Sequence, residues 1–282
     1  MKREFRYSAS SFRNLSHNVA HEFAARHALA LYRRRAVYSF IPKCACSTMR
    51  YTLAVDNGCI SDSSEVGWID RNNETFRAQL DELLACDYAF TIMRCPYRRI
   101  ASVFLDKVVK GDLRVRPLVM KGWIPKLVRG VTGRNTAMSW WSRRIQSLSF
   151  ADFIASLCQG QALTLDHHWV PQTQFLVYKS YDDVFCLERF ASAKQTLREK
   201  IGLEVVDARE LVKHDTSHYE KLQGNGYSQC SAAEIAELKQ QGQIPSYESL
   251  YDDEVKAMVD RLYAADIAFY TEQFGKDGLL FN

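Results

Sequence analysis

One stretch of the sequence places a lysine and two hydroxyls where a buried strand is expected to lead into a helix. Lys43 opens this turn, and Ser47 and Thr48 end it. A helix N-terminus presents unpaired backbone N–H groups and a positive dipole end, and both attract phosphate or sulfate. The turn therefore has the chemistry of a phosphate-binding loop. It is not a Walker A loop, which needs glycines and a lysine directly before the final Ser/Thr. An ordinary turn capped by Ser47 is the alternative.

A second turn carries an arginine at the end of another apolar run. Arg94 follows the run 88–93, and Ser102 lies about two turns into the helix expected after it. An arginine at this position can make a two-pronged contact with a phosphate that Ser102 shares, although a structural ion pair is equally consistent. Arg98 and Arg99 are predicted to be solvated helix charges. Two anion sites after strands of one sheet suit a nucleotide with phosphates on opposite sides of its ribose, the layout of 3′-phosphoadenosine 5′-phosphosulfate.

Two adjacent histidines are the candidates for a general base. His167 and His168 follow Asp166 and precede a tryptophan, and a neutral imidazole accepts a proton well at cellular pH. Asp166 either orients an imidazole or caps a turn. Glu188, after the third expected strand, is a second-choice base or a structural partner of a basic residue. Any one of these histidines can equally be structural.

The charge distribution indicates an anionic partner. Ten basic residues and one acidic residue, Asp112, lie between Lys107 and Arg144, so this segment carries +9 although the whole chain carries only +4. Trp123, Trp140 and Trp141 lie in the same region, and aromatic faces stack on sugar rings. An anionic saccharide or glycolipid is therefore the expected acceptor; a solvated basic face with core tryptophans is the alternative.

Composition and patterning place the chain among ordinary globular proteins. Hydrophobic residues make up 47% and charged residues 25%, which excludes disordered and low-complexity proteins. No apolar run reaches the roughly 18 residues of a membrane span, and a peripheral membrane contact stays open. The N-terminus has no apolar signal segment, so eight scattered cysteines are expected to be reduced thiols in the cytoplasm. No metal site is predicted, because Cys44 and Cys46 have no second pair at zinc-ligand spacing.

Alternating strand and helix patterns predict an α/β fold. Buried strands are expected at 36–41, 88–93 and 184–187, each followed by a helix, which argues for a parallel sheet flanked by helices. Residues 1–35 are predicted to be a basic helical extension. Residues 36–282 are predicted to be a single domain with a basic insertion at about 107–147. A long amphipathic helix is expected near the C-terminus.

The two turns together resemble a known enzyme family. IPKCACST, followed about fifty residues later by MRCPYRRIASVFLDK, is similar to the two cofactor motifs of carbohydrate sulfotransferases. The likeness is greatest to the Golgi family that acts on chondroitin and dermatan, the family 2-like sulfotransferases. DHHWVPQ, VFCLERF and the segment YDDEVKAMVDRLYAADIAFY resemble later parts of that family. The resemblance implies a sulfotransferase fold, related to P-loop NTPases, and transfer of a sulfuryl group to a carbohydrate hydroxyl.

The resemblance also implies roles for individual residues. The 5′-phosphosulfate would be wrapped by one run of residues: Lys43, Cys44, Ala45, Cys46, Ser47 and Thr48. Arg94 and Ser102 would hold the 3′-phosphate. Lys43 is the expected cation for the departing phosphate, and His168, directly before the tryptophan, is favoured over His167 as the base.

Two departures from the family are visible in the sequence. Cys95 stands where the family usually has an aspartate before the proline, so any contact from that carboxylate is absent. The Golgi members carry a membrane anchor and this sequence has none, which suggests a bacterial or otherwise soluble relative.

Two other functions stay open at this point. One is a P-loop-like nucleotide kinase, which the misplaced lysine disfavours. The other is a noncatalytic basic module that binds nucleic acid or a membrane surface, which steeply salt-dependent DNA binding would favour. The preferred prediction is an enzyme with a carbohydrate acceptor and no nucleic-acid partner.

Overall fold

The computed structural model of the protein describes residues 3–12, 14–72, 74–119, 141–208, 211 and 218–281. Its β-strands are β1 (Ala28–Leu31), β2 (Ala36–Ser39), β3 (Tyr88–Met93), β4 (Asp183–Cys186), β5 (Glu220–Leu222) and β6 (Gln243–Pro245). Its helices include α1 (Val19–Arg26), α2 (Cys46–Asp56), α3 (Trp68–Arg71), α4 (Leu80–Ala85), α5 (Pro96–Val103), α6 (Arg116–Val119), α7 (Phe150–Leu157), α8 (Phe190–Ile201), α9 (Ala232–Gln240), α10 (Asp253–Leu262) and α11 (Ala264–Phe274). Within these residues, no helix combines the length and apolar character that crossing a bilayer requires.

The described residues form two compact units. The first comprises those within Met1–Cys95, Pro171–Asp215 and Ala268–Leu279. The second comprises those within Pro96–Val170, Thr216–Ile267 and Leu280–Asn282. Lys43 and Arg94 belong to the first unit, and Ser102 and His168 belong to the second.

The first unit is built on a four-stranded sheet in the order β1-β2-β3-β4. β2, β3 and β4 are parallel, and β1 runs antiparallel to β2. β1, β2 and β3 are buried along their whole length, which explains their continuous apolar runs. This arrangement confirms the predicted α/β fold with a parallel sheet flanked by helices. It also places the carboxyl ends of β2 and β3 side by side.

The antiparallel strand β1 was missed by the prediction that residues 1–35 are a helical extension. This region contains α1, but Ala28–Leu31 then pairs with β2 from Ala28↔Ser39 to Leu31↔Ala36. The run ALAL has high intrinsic helix propensity, so local preference alone favours a helix. Pairing with β2 and complete burial override that preference in the folded chain.

The core of the first unit lies on both faces of the sheet. On one face, small side chains from three strands, among them Ala30, Val37 and Ala89, pack with Tyr178. On the other face, the rings of Tyr38 and Phe90 stack at 5.1 Å. These faces fix the register of β2 against β3, and the register fixes where the two following turns begin.

The second unit is mainly helical, with a two-stranded parallel sheet of β5 and β6. Capping boxes start two of its helices: Ser149 with Asp152 starts α7, and Ser231 with Glu234 starts α9. Phe104 lies in a π-helical turn directly after α5 and packs edge-on against Phe150 at 5.2 Å. Aromatic packing of this kind forms much of the unit's interior.

The predicted long C-terminal helix is two helices. α10 ends at Leu262, and Tyr263 has non-helical dihedral angles (φ −115°, ψ 23°) before α11 begins. Apolar spacing continues through the break, which is why the sequence pattern predicts one helix. Tyr263 is 1% exposed, and its hydroxyl donates to the carbonyl of Trp169 at 2.7 Å.

A buried histidine ties the end of α1 to the core of the first unit. His27 lies among the rings of Phe23, Phe40 and Phe175, with centroid distances of 4.6, 5.0 and 4.7 Å. Its Nδ1 donates to the carbonyl of Phe23 at 2.7 Å. Burial lowers the pKa of His27 from 6.5 to about 4, so the folded protein holds this ring neutral.

We expect His27 to make folding stability depend on pH in weak acid. As the pH falls from 6.5 toward 4, the unfolded chain takes up a proton at His27 that the folded chain does not. The free energy of unfolding therefore falls with decreasing pH, by up to about 3 kcal/mol across the window. Urea unfolding at pH about 7.5 and about 5 measures this loss. His27→Gln, which keeps a donor for Phe23, should lose less stability on acidification than the wild type; an equal loss would contradict the assignment.

Candidate functional site

The turn between β2 and α2 has a strained backbone. Lys43 has φ 70° and Ala45 has φ 56°, while among the described non-glycine residues the one other positive φ is that of Arg35. Residues with a side chain rarely adopt this region, and each such position costs on the order of 1 kcal/mol. Between them, the N–H of Cys44 donates to the carbonyl of Ile41 at 3.1 Å and closes a tight turn. Backbone strain of this kind concentrates at ligand-binding sites, which makes this turn a candidate for one.

The first turn of α2 has no side-chain cap. The N-cap residue is Ala45, which offers no acceptor, and the first turn contains no acidic residue. Ser47 lies inside the helix, so the alternative of an ordinary turn capped by Ser47 is wrong. Its hydroxyl is half-buried and that of Thr48 belongs to a side chain only 4% exposed. The start of α2 therefore combines a positive dipole end with N–H groups that no side chain caps.

The structure brings the arginine-led turn against the lysine-led turn. The Nη1 of Arg94 donates to the carbonyl of Lys43 at 3.3 Å. This contact follows from the sheet, because β2 and β3 are parallel neighbours and their carboxyl ends meet at one edge. Arg94 is partly exposed. The first unit therefore presents both turns of the predicted donor site together.

Gln172 connects the two turns and was not among the predicted site residues. Its side-chain oxygen accepts from the backbone N–H of Arg94 at 2.9 Å and from the thiol of Cys44 at 3.2 Å. Its side-chain amide donates to the carbonyl of Arg94 at 2.9 Å. Gln172 is completely buried, so its two hydrogen bonds to the backbone of Arg94 hold that backbone fixed relative to Cys44. Gln172 ends the motif DHHWVPQ, which was the available sequence signal.

Cys95 and the exposed Glu188 belong to a partly buried polar cluster beside Arg94. The backbone N–H of Cys95 donates to Glu188 at 3.1 Å, and the Tyr270 hydroxyl donates to the same carboxylate at 3.2 Å. The thiol of Cys186 also donates to Glu188 at 3.2 Å, and burial raises the pKa of that thiol. Glu188 was expected either as a base or as the partner of a basic residue. In these contacts its carboxylate accepts instead from a backbone amide, a phenol and a thiol. Glu188 therefore holds the peptide that follows Arg94.

Ser102 lies in α5 of the second unit. It is 7% exposed, and its hydroxyl donates to the carbonyl of Arg99 at 2.7 Å. This is a local bond within the helix, and the hydroxyl would have to rotate to donate to a phosphate. The role of Ser102 in binding the 3′-phosphate stays a prediction.

The prediction that Arg98 and Arg99 are solvated is wrong for Arg99. Arg98 is partly exposed, 3.6 Å from Glu248. Arg99 is only 1% exposed, and its guanidinium donates to the carbonyls of Val170 at 2.9 Å and His167 at 3.5 Å. Carbonyl oxygens inside the unit accept hydrogen bonds from this buried guanidinium. The sequence alone does not indicate these partners.

His168 is a buried imidazole with a defined orientation. Its side chain is 11% exposed, and Nδ1 donates to Asp166 at 2.6 Å. The same carboxylate accepts from the backbone N–H of His168 at 2.9 Å. Burial lowers the pKa of His168 below 6.5; Asp166 opposes this shift, while Lys107 and Arg114 add to it. The ring is therefore neutral at cellular pH, and its lone pair is on Nε2.

The neighbouring histidine is exposed. His167 stacks obliquely on His168, with ring centroids 4.3 Å apart. One ligand atom from each of Asp166, His167 and His168 lies within 4.8 Å of the others, a spacing a metal ion could use. The hydrogen bond between Asp166 and His168 already accounts for two of the three groups. This bond makes Asp166 the orienting residue rather than only a turn cap.

The described part of the basic segment is partly neutralised. Lys107 lies 3.3 Å from Asp106 and 3.5 Å from Asp112. Arg114 is exposed, and the guanidinium of Arg116 lies 5.2 Å from the ring centre of Trp141. This cation–π contact covers one face of the half-buried tryptophan. Several residues that were predicted to bind the saccharide acceptor lie outside the described residues: Lys121, Trp123, Lys126, Arg129, Arg134 and Trp140.

Comparison with known families now identifies the class of protein. The sequence profile of the Sulfotransferase family matches residues 26–271, which is most of the chain and includes the turns at Lys43 and Arg94. The chain therefore belongs to the sulfotransferase family and is a transferase of sulfuryl groups, which implies an activated sulfuryl donor. No curated protein and no solved structure matches the chain.

Proposed function

We propose that the protein transfers the sulfuryl group of 3′-phosphoadenosine 5′-phosphosulfate to a hydroxyl of a carbohydrate. The proposal rests first on the contact between Arg94 and Lys43 at 3.3 Å. Two anion-binding turns that touch at the edge of one sheet suit a donor with two separate anionic groups, and a ligand with one phosphate would leave the second turn unused. Membership of the sulfotransferase family supports the same donor.

The residues of the first turn receive the activated end of the donor. The N–H groups at the start of α2, which no side chain caps, bind the 5′-phosphosulfate oxygens, with the hydroxyls of Ser47 and Thr48 as further donors. Lys43 neutralises the charge that develops on the departing phosphate. Arg94 and Ser102 bind the 3′-phosphate, Arg94 through its planar fork.

His168 accepts the proton of the acceptor hydroxyl. As the new oxygen–sulfur bond forms, the bond from sulfur to the 5′-phosphate oxygen breaks, and 3′-phosphoadenosine 5′-phosphate leaves. The proton of the hydroxyl moves to Nε2 of His168, while Nδ1 stays bonded to Asp166. A neutral imidazole whose second nitrogen donates to a carboxylate suits this task, because the carboxylate stabilises the cation that forms.

The acceptor is proposed to be acidic. Arg114 and Arg116 contribute positive charge to the second unit, and Arg114 acts electrostatically on His168. Such charge attracts a carboxylated or sulfated saccharide. The direct assay supplies the donor with neutral and acidic oligosaccharides and detects sulfated products by mass spectrometry. Transfer to acidic oligosaccharides supports the proposal, whereas phosphate transfer from ATP without sulfuryl transfer would refute it.

We expect charge reversal in the basic segment to weaken acceptor binding selectively. The variant Arg114→Glu/Arg116→Glu should raise the KM for an acidic acceptor by about tenfold or more, because attraction becomes repulsion. Binding of 3′-phosphoadenosine 5′-phosphate should stay within about twofold. Steady-state kinetics with calorimetry measures both quantities.

The matched control is Arg198→Glu/Arg261→Glu, which changes the net charge equally at two exposed helix positions. It should leave the acceptor KM nearly unchanged. An equal rise in KM for both variants would indicate a general charge effect, and no rise in the first would refute an acidic acceptor at this segment.

A further inference from the structure

The segment that carries His168 is held by its backbone carbonyls. The hydroxyl of Tyr263 donates to the carbonyl of Trp169 at 2.7 Å. The guanidinium of Arg99 donates to the carbonyl of Val170 at 2.9 Å and to that of His167 at 3.5 Å. The peptide groups on both sides of His168 are therefore bound by side chains from α5 and from the break between α10 and α11.

These contacts lie in the interior of the second unit. Arg99 and Tyr263 are each 1% exposed, and Trp169 is fully buried. The indole N–H of Trp169 donates to the carbonyl of Ala162 at 3.0 Å, which fixes the next side chain along the segment. A buried guanidinium needs several acceptors, and two of those it uses here are carbonyls of this segment.

The hydroxyl of Tyr263 lies in a polarised environment. Burial raises its pKa, Arg99 opposes that shift, and the fully buried Asp266 adds to it. The phenol is therefore always a donor at cellular pH, and its proton goes to the carbonyl of Trp169. An irregular segment with few backbone hydrogen bonds depends on such side-chain donors for a single conformation.

We infer that Arg99 and Tyr263 are positioning residues that fix the backbone around His168, so that Nδ1 stays on Asp166 and Nε2 remains the proton-accepting atom. This inference rests on the proposed role of His168 as the base. The two residues do not contact the reacting groups in this account; they act through the conformation of residues 167–170. Small displacements of a catalytic base are costly, because proton transfer requires close alignment.

The test compares two variants, each of which lacks one buried tyrosine hydroxyl of the second unit. Tyr263→Phe removes the donor to Trp169, and Tyr251→Phe removes a bond of the same kind to the carbonyl of Tyr97 at 2.8 Å. Tyr263→Phe should lower kcat by about tenfold with the donor KM unchanged. Tyr251→Phe should lower the melting temperature by about as much as Tyr263→Phe does, because each variant loses one buried hydrogen bond, and it should leave kcat within about twofold of the wild type. Equal effects of both variants on kcat would overturn the inference.

A double-mutant cycle separates positioning from a general structural effect. If Tyr263 acts through His168, then Tyr263→Phe should have no further effect on kcat in the His168→Ala background. Independent losses that multiply in the double variant would contradict positioning.

A spectroscopic measurement decides the inference separately from the proposed reaction. The ring nitrogen-15 shifts of His168 should show the Nδ1–H tautomer in the wild type and in Tyr251→Phe, and a mixture in Tyr263→Phe. If His168→Ala retains turnover, the base assignment fails, while these shifts still report whether Tyr263 fixes the ring. An unchanged tautomer in Tyr263→Phe would overturn the positioning role.

Discussion

Replacing His168 with alanine should lower kcat by roughly 10²- to 10⁴-fold, the usual contribution of a positioned general base. The physical reason is that no other group would then take the proton of the acceptor hydroxyl as the new bond forms. Affinity for 3′-phosphoadenosine 5′-phosphate should change by less than about twofold, because this residue does not hold the donor. Steady-state kinetics and calorimetric titration measure the two effects.

The control for this variant is His218→Ala, which removes an exposed histidine from the same unit. Its kcat should equal that of the wild type. If His168→Ala retained full turnover, the base would lie elsewhere, and His167 would be the next residue to test.

Replacing Lys43 with alanine should lower kcat by roughly 10²- to 10³-fold, the range seen when one group that stabilises transition-state charge is removed. The ammonium is expected to neutralise the departing phosphate, and alanine has no charge to replace it. Stability should change little, because Lys43 is only half-buried and alanine carries the same backbone strain at φ 70°. Kinetics and thermal unfolding together separate the two quantities.

Lys179→Ala is the matched control, since it removes an exposed lysine of the same unit, which forms a surface ion pair with Glu4. It should leave kcat unchanged. A Lys43→Ala enzyme with kcat within about threefold of the wild type would remove Lys43 from the chemistry, whatever its effect on stability.

The sequence predicted those features that depend on local periodicity. β3 was predicted with its observed bounds, because five apolar residues and one threonine lie between the charged residues Asp87 and Arg94. The placement of the turns at Lys43 and Arg94 after strands of one sheet was also predicted, because ligand-binding turns of parallel sheets follow the strands' carboxyl ends. The contact between Arg94 and Lys43 itself was not predicted.

Other features depend on contacts that local patterns do not encode. The strained turn at Lys43 and Ala45 lacks the glycines that usually indicate positive φ. The burial of Arg99 depends on carbonyl acceptors about seventy residues away in the sequence. Gln172 is an uncharged residue of DHHWVPQ, a motif in which the histidines are the obvious candidates for chemistry. Its hydrogen bond to Arg94 joins residues 78 positions apart, so the sequence alone does not predict it. Tertiary contacts thus decided the details of the site.

Calorimetric titration of the wild-type protein with 3′-phosphoadenosine 5′-phosphate, AMP and ATP shows whether the turns at Lys43 and Arg94 bind one nucleotide together. If the turns at Lys43 and Arg94 bind opposite ends of one donor product, the bisphosphate should bind at least about tenfold more tightly than AMP, because only it fills both anion sites. Arg94→Ala should abolish most of that difference. Equal affinity for AMP and the bisphosphate, or tighter binding of ATP, would contradict the account.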